Sequence, residues 1–183
     1  VQHVEGGSRV AVDYATPTGE VRRVTARSVV FGAWGMAAKH LVPELSGGQR
    51  EALEGYGYCS ALYINVLLEQ WRPIADAGAF EMYMPGRYAT WMHPLDPLRV
   101  GAYRPEHRPD QPTVLSMFRY LRKPGHPIDE QLRLNRYALE ATPFEEIERQ
   151  VRTELAHVLG PWGFDPAQDI LAITVNRWGH GYI

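Results

Sequence analysis

Asp169-Ile170-Leu171-Ala172-Ile173-Thr174-Val175-Asn176-Arg177-Trp178-Gly179-His180-Gly181-Tyr182-Ile183 closes the chain, and the reading of this stretch decides the fold. Ile170 to Val175 is an apolar run rich in β-branched residues, the composition of a strand inside a sheet. Beyond it, Trp178, His180 and Tyr182 alternate with glycines, whereas most domains finish in a polar tail or a docked helix. A strand that carries three ring side chains past its last aliphatic residue predicts part of a binding site. The expectation is a piece of a larger protein whose remaining surface is encoded elsewhere.

Upstream of that strand, Thr142 to Leu159 predicts the clearest helix. Thr142 and Glu145 have the spacing of a capping box, and Pro143 holds the favoured first position. Phe144, Ile147, Val151, Leu155 and Val158 form one apolar stripe, with Glu145/Arg149 and Glu148/Arg152 paired on the wet side. Gly160-Pro161 ends the helix. Ile128 to Ala141 predicts a second, more polar helix.

Leu62-Tyr-Ile-Asn-Val-Leu-Leu-Glu-Gln-Trp71 predicts a long strand, with Asn65 as the one polar residue of its apolar interior. Tyr88–His93, Arg99–Tyr103 and Thr113–Leu121 are further strand candidates between proline-rich turns. Near the start, Arg9–Tyr14 and Glu20–Ala26 alternate around Thr16-Pro-Thr-Gly19, as in a hairpin. Arg27–Ala33 is continuously apolar, which predicts a strand buried on both faces. Short helices are expected over Trp34–Leu41 and Gln49–Tyr56. Strands, then helices, then a last strand define an α+β fold, with a mixed or antiparallel sheet covered by helices.

The 183 residues suffice for a sizeable core. A net charge of -2 without any basic run argues against nucleic acid as a partner. No stretch reaches the roughly 18 apolar residues of a membrane span. Cys59 is the single cysteine, so neither a disulfide framework nor a cysteine-built zinc site is available, and its apolar neighbours predict a buried structural thiol. The histidines form no HExxH or other close ligand pair, so no metal site is expected. GxSxG, GxxxxGK[ST] and GxGxxG are absent.

Three stretches stand out together: Val24–Trp34, Tyr63–Trp71 and Gly163–Tyr182. Their order resembles the flavin-containing amine oxidase superfamily, most closely its bacterial spermidine dehydrogenase-like branch. The strongest likeness is Ile173-Thr-Val-Asn-Arg-Trp-Gly-His-Gly-Tyr182. The resemblance spans nearly all of this chain but only the later portion of such a protein. It implies FAD as cofactor, a small-molecule amine of polyamine type as substrate, and the rest of the flavoprotein chain as partner. Residues 1–45 would then be part of the FAD-binding domain, 46–168 the substrate domain, and 169–183 a strand returning to the FAD site. The GxGxxG segment and a final FAD-contacting segment would lie outside this sequence.

The same resemblance assigns candidate roles. Trp178 and Tyr182 would wall a flat ring, Gly181 would let the backbone approach it, and aromatic faces would attract ammonium groups. An aromatic-capped core strand is the plainer alternative for that segment. His180 would contact the flavin or manage a proton, or would be a structural histidine. Asn65 occupies the strand where family members carry a lysine that holds a water, and the alternative is a buried amide satisfied by backbone. Ala33 and Trp34 would pass the cofactor, and Val1 would lie on the strand at its adenine end. Arg177 would balance negative charge on the cofactor or, the favoured reading, be a solvated strand-end arginine. Glu69, Glu81 and Asp96 are candidate carboxylates for a polyamine. The rival class is a non-catalytic domain that binds a small ligand or a partner without flavin.

Overall fold

The alternating N-terminal segments form a hairpin in the computed structural model, which describes residues 1–4, 7–95 and 98–182, and of Tyr182 only the backbone. β1 (Gln2–His3), β2 (Val10–Ala15) and β3 (Val21–Ala26) make an antiparallel sheet in the order β1-β2-β3. The β2–β3 turn closes with Gly19 donating to the Thr16 carbonyl at 2.9 Å, and the φ of 83° at Gly19 is one that only glycine adopts cheaply. α1 (Gly35–Leu41) and α2 (Gly47–Glu54) follow. α2 starts in a capping box, with Gln49 N–H donating to the Ser46 hydroxyl and Ser46 N–H donating to the Gln49 side chain.

Arg27–Ala33 corrects the expectation of a doubly buried strand. Positions 28–33 adopt no regular element, and Val30 is 93% exposed. An apolar strand needs a neighbour along its edge and cover on its faces. Among the described residues of this region neither is supplied.

The chain separates into two compact units, Val1–Tyr56 and Gly57–Ile183. The second begins with β4 (Cys59–Leu68), which starts three residues earlier than expected and leaves Cys59 half-buried rather than in the core. α3 (Arg72–Ala77) ends at Gly78, and β5 (Met82–Tyr83), β6 (Trp91–Pro94) and β7 (Thr113–Tyr120) follow. Arg99–Tyr103 is not a strand: among the described residues, Val100 and Tyr103 bond to each other across a turn at Gly101. α4 (Ile128–Ala141) and α5 (Phe144–Leu159) then lead through α6 (Pro166–Asp169) into β8 (Ile170–Tyr182). The sheet order is β5-β6-β7-β4-β8, and every neighbouring pair is antiparallel.

The core lies on one face of this sheet. Leu62, Ile64, Val66 and Leu68 of β4 point to it with Leu115 and Met117 of β7 and Met92 of β6. Ile147, Val151, Leu155 and Leu159, one turn apart on α5, are each fully buried against them. α4 contributes Leu139 and also Asn135, whose amide donates to the Leu121 carbonyl at 2.9 Å.

Two local expectations at α5 are corrected. The helix begins after Pro143, and the Thr142 hydroxyl turns back to donate to the Ala138 carbonyl at 2.6 Å, so no capping box forms. The last turn of α4 competes successfully for that hydroxyl. Arg149 pairs with Glu146 rather than Glu145, while Arg152 meets Glu148 as expected. The chain is turned into β8 by Asp169, whose buried carboxylate accepts from Asp165 N–H at 2.8 Å and from the Gln70 amide at 3.2 Å.

Candidate active-site wall on the open sheet face

Because strand side chains alternate, the residues between the core positions form a second face, and it carries different chemistry. One row across four strands is Trp91, Phe118, Tyr63 and Asn176. The next is His93, Ser116, Asn65 and Thr174, and a third is Tyr120, Ala61 and Trp178. Tyr63 meets Phe118 edge-to-face at 5.3 Å, and Trp91 lies 6.2 Å from Phe118. Trp91 also stacks on His93 at 4.5 Å and donates its Nε1–H to Glu81 at 2.7 Å. These contacts hold ring faces that would otherwise rotate.

A cavity of about 550 Å³ opens on this face, within the size range of small-molecule sites. Tyr63, Trp91, Phe118 and Trp178 supply its rings, Asn65 and Asn176 its amides, and Ala61 and Gly181 its floor. Asn65 is half-buried; its carbonyl oxygen accepts from the Ser116 hydroxyl at 3.0 Å, a side-chain partner rather than backbone. That bond turns the amide NH2 away from Ser116. No carboxylate is among the described lining residues.

Gly181 is required by close approach. A Cβ there would stand 2.7 Å from the Trp178 Cβ and 3.6 Å from the Ala61 Cβ, so any side chain would displace Trp178 or fill the floor. This cradle, with its ring walls, fits a flat aromatic group. The Trp178 side chain remains about half exposed, at 52%.

The structure brings Asn65, Trp178 and Gly181 together but places His180 elsewhere. A register shift between Cys59/Ala61 and their β8 partners leaves more residues on β8 than on β4. This bulge puts Gly181 at the cavity floor and His180 beside α4, near Arg136 and Glu140. Burial first, then the Arg136 charge, lowers the His180 pKa, and Glu140 opposes them. Arg177 is exposed, as expected of a solvated strand-end arginine, and its Nη1 also donates to the Leu139 and Glu140 carbonyls at 2.8 and 3.3 Å, capping the C-terminus of α4. β8 pairs with β4 at Tyr182, whose side chain lies outside the description.

Val1, Ala33 and Trp34 belong to the first unit. The Val1 amino group donates to the Leu41 carbonyl at 2.8 Å, Ala33 is exposed, and Trp34 caps α1 and lines a separate cleft with Met36 and Tyr56. Glu69 is exposed at the end of β4, Glu81 is held by Trp91, and Asp96 lies outside the described residues. Tyr63, Trp91, Phe118 and Asn176 were not singled out from sequence. Their signal is the period-two alternation of rings and amides with aliphatics along β4, β6, β7 and β8. Among the described residues, no group of three or more metal-ligating side chains gathers, and no helix is long and apolar enough to cross a membrane.

No family model matches the sequence, and no curated protein does. Solved structures do. Cyclohexylamine oxidase from Brevibacterium oxydans IH-35A superposes with a TM-score of 0.52 over 97% of this chain, at 17% identity. Wild-type putrescine oxidase bound to putrescine, and a double mutant of it redesigned in cofactor binding, match with the same TM-score of 0.52. Each covers 84% of this chain, at 14% and 13% identity respectively. The fold is thus one found within amine oxidases. The chain spans 29–32% of the length of these structures.

Proposed function

We propose that this chain is the substrate-binding portion of an FAD-dependent amine oxidoreductase. The observation that carries the reading is the open sheet face, with four rings and two amides around a cavity whose floor is Ala61 and Gly181. The fold likeness to amine oxidases supports it. In this reading residues 1–45 belong to the FAD-binding domain, 46–168 to the substrate domain, and 169–183 return to the cofactor. The placement nearest spermidine dehydrogenase-like proteins rests on the order of Val24–Trp34, Tyr63–Trp71 and Gly163–Tyr182, most strongly on Ile173–Tyr182. Trp178, Gly181 and Tyr182 would face the cofactor; roles for Val1, Ala33 and Trp34 rest on the family resemblance alone.

An FAD bound there supplies the two-electron acceptor for a hydride from the amine's C–H, and water hydrolyses the resulting imine. The chain's own residues prepare the amine. Tyr63, Trp91, Phe118 and Trp178 hold its carbon skeleton and exclude water. Their ring faces attract an arriving ammonium, and with no carboxylate among the described lining residues a desolvated ammonium is disfavoured there. Release of that proton to bulk water as the amine enters would leave the nitrogen lone pair free. Asn65 offers a fixed amide donor to orient nitrogen or a water. His180, beside α4, acts on the strand's position rather than on the amine.

The lining favours an amine with an apolar body over a polyamine, whose second ammonium would meet rings without a counter-charge. The test is anaerobic addition of cyclohexylamine or putrescine to the full-length protein, following visible flavin absorbance. Bleaching by both is expected, with cyclohexylamine saturating at the lower concentration. A full-length protein that purifies and reconstitutes without flavin overturns the reading, and leaves the non-catalytic ligand-binding domain in its place.

A further inference from the structure

On the opposite side of the second unit, a groove of about 920 Å³ runs between α5 and the segment that joins β5 to β6. Arg87, Arg119 and Arg122 all line it, and Glu154 is its one acidic residue. Two of the guanidiniums are held in place. The Arg87 Nε donates at 3.1 Å to Glu154, whose side chain is only 7% exposed. The Arg119 Nη1 donates to the Tyr88 carbonyl at 2.6 Å, and its guanidinium lies 4.2 Å over the Tyr88 ring. Each arginine therefore keeps unused N–H groups, and the rotamer entropy of both is already spent within the fold. Arg122 is exposed, with no ion pair or hydrogen bond among the described residues.

A buried carboxylate is costly unless paired, and among the described residues Glu154 is paired with Arg87. Among the described lining residues three guanidiniums face one carboxylate, an excess of positive charge in a concave site. Planar N–H forks match oxyanions in bidentate geometry. His157 and the Tyr88 ring line the same groove. Burial raises the pKa of the Tyr88 hydroxyl.

We propose that the groove between α5 and the β5–β6 segment binds a small multivalent oxyanion, of carboxylate or phosphate type, through Arg87, Arg119 and Arg122. It is separate from the aromatic cavity and does not depend on the amine reading. The full-length protein is titrated by calorimetry with citrate and with tripolyphosphate, against sodium chloride at equal ionic strength. Saturable binding of at least one probe is expected, and the tighter one assigns the headgroup. Arg119→Lys, which keeps the charge but loses the fork, and Arg122→Gln are each expected to weaken binding about tenfold. If Arg119→Lys fails to fold, Arg122→Gln decides, since that side chain is exposed. Heats no larger than those of sodium chloride overturn the site. So does binding that stays within about twofold in every variant that folds.

Discussion

The two faces of the β5-β6-β7-β4-β8 sheet are built from alternate residues of the same strands and differ in almost every physical respect. Toward the helices, Ile64, Val66, Leu115 and Met117 are aliphatic or thioether side chains with no exposure. On the other face Tyr63, Asn65, Phe118 and Trp178 leave surface uncovered, and polar atoms are held by side-chain bonds such as Ser116 to Asn65. Water is excluded from the centre of the first face, at β4 and β7, so most of the stability resides there. The other face retains rings whose burial has not been completed, and that surplus is available to a ligand. One backbone register therefore serves both tasks.

The contrast breaks first if stability and ligand binding fail to separate. Leu155→Ala removes a fully buried side chain from α5 and is expected to cost about 3 kcal/mol in denaturant unfolding. Trp178→Ala, at a half-exposed position, is expected to cost less than about 1 kcal/mol. In the proposed enzyme it lowers kcat/KM for amine by about tenfold or more. Equal destabilisation by the two variants, with amine turnover intact in Trp178→Ala, removes the open face from function.

The core face was legible because its signals are local. The stripe Ile147, Val151, Leu155 lies on consecutive turns of one helix, and the aliphatic set of β4 recurs at every second residue. The open face was less legible because its members meet only through pairing of β4 with both β7 and β8, more than fifty positions away. Asn65 and Trp178 stood out as single residues, whereas Phe118 and Trp91 gained meaning only from register. The Arg27–Ala33 expectation failed for the converse reason: composition states that a segment wants cover, not that cover is at hand. His180 was misplaced by the bulge near Ala61, since one shifted register reverses the side a strand residue faces. Thr142 had the right spacing for a cap, but a nearer carbonyl took its hydroxyl.

A smaller effect sharpens how the open face is held. Ser116 is almost fully buried, and its hydroxyl fixes the Asn65 carbonyl at 3.0 Å. Ser116→Ala is expected to cost about 1 kcal/mol, because Asn65 is half-buried and can turn part-way to water. If Asn65 orients the amine, KM rises while the fold persists, and Ser116→Thr restores both. A stability loss with unchanged KM makes the pair purely structural.

The smallest effect concerns the end of β8, where the two faces exchange. His180 sits on the α4 side because of the bulge, and burial together with Arg136 holds its pKa below the ordinary value of 6.5. Its neutral form is the one the fold prefers. The stability tied to neutral His180 is fully present above that ordinary value, and is lost as pH falls through the lowered folded value. Between the two values the unfolded chain holds the extra proton, so stability must decline with falling pH in that window. His180→Gln, which cannot titrate, is expected to flatten this decline while leaving stability at pH 8 nearly unchanged. The comparison of unfolding midpoints across pH 5 to 8, about the range of histidine titration, reads it directly. An unchanged slope in the variant would place the histidine in solvent rather than against α4, and the bulge would then no longer explain which residue faces the cavity.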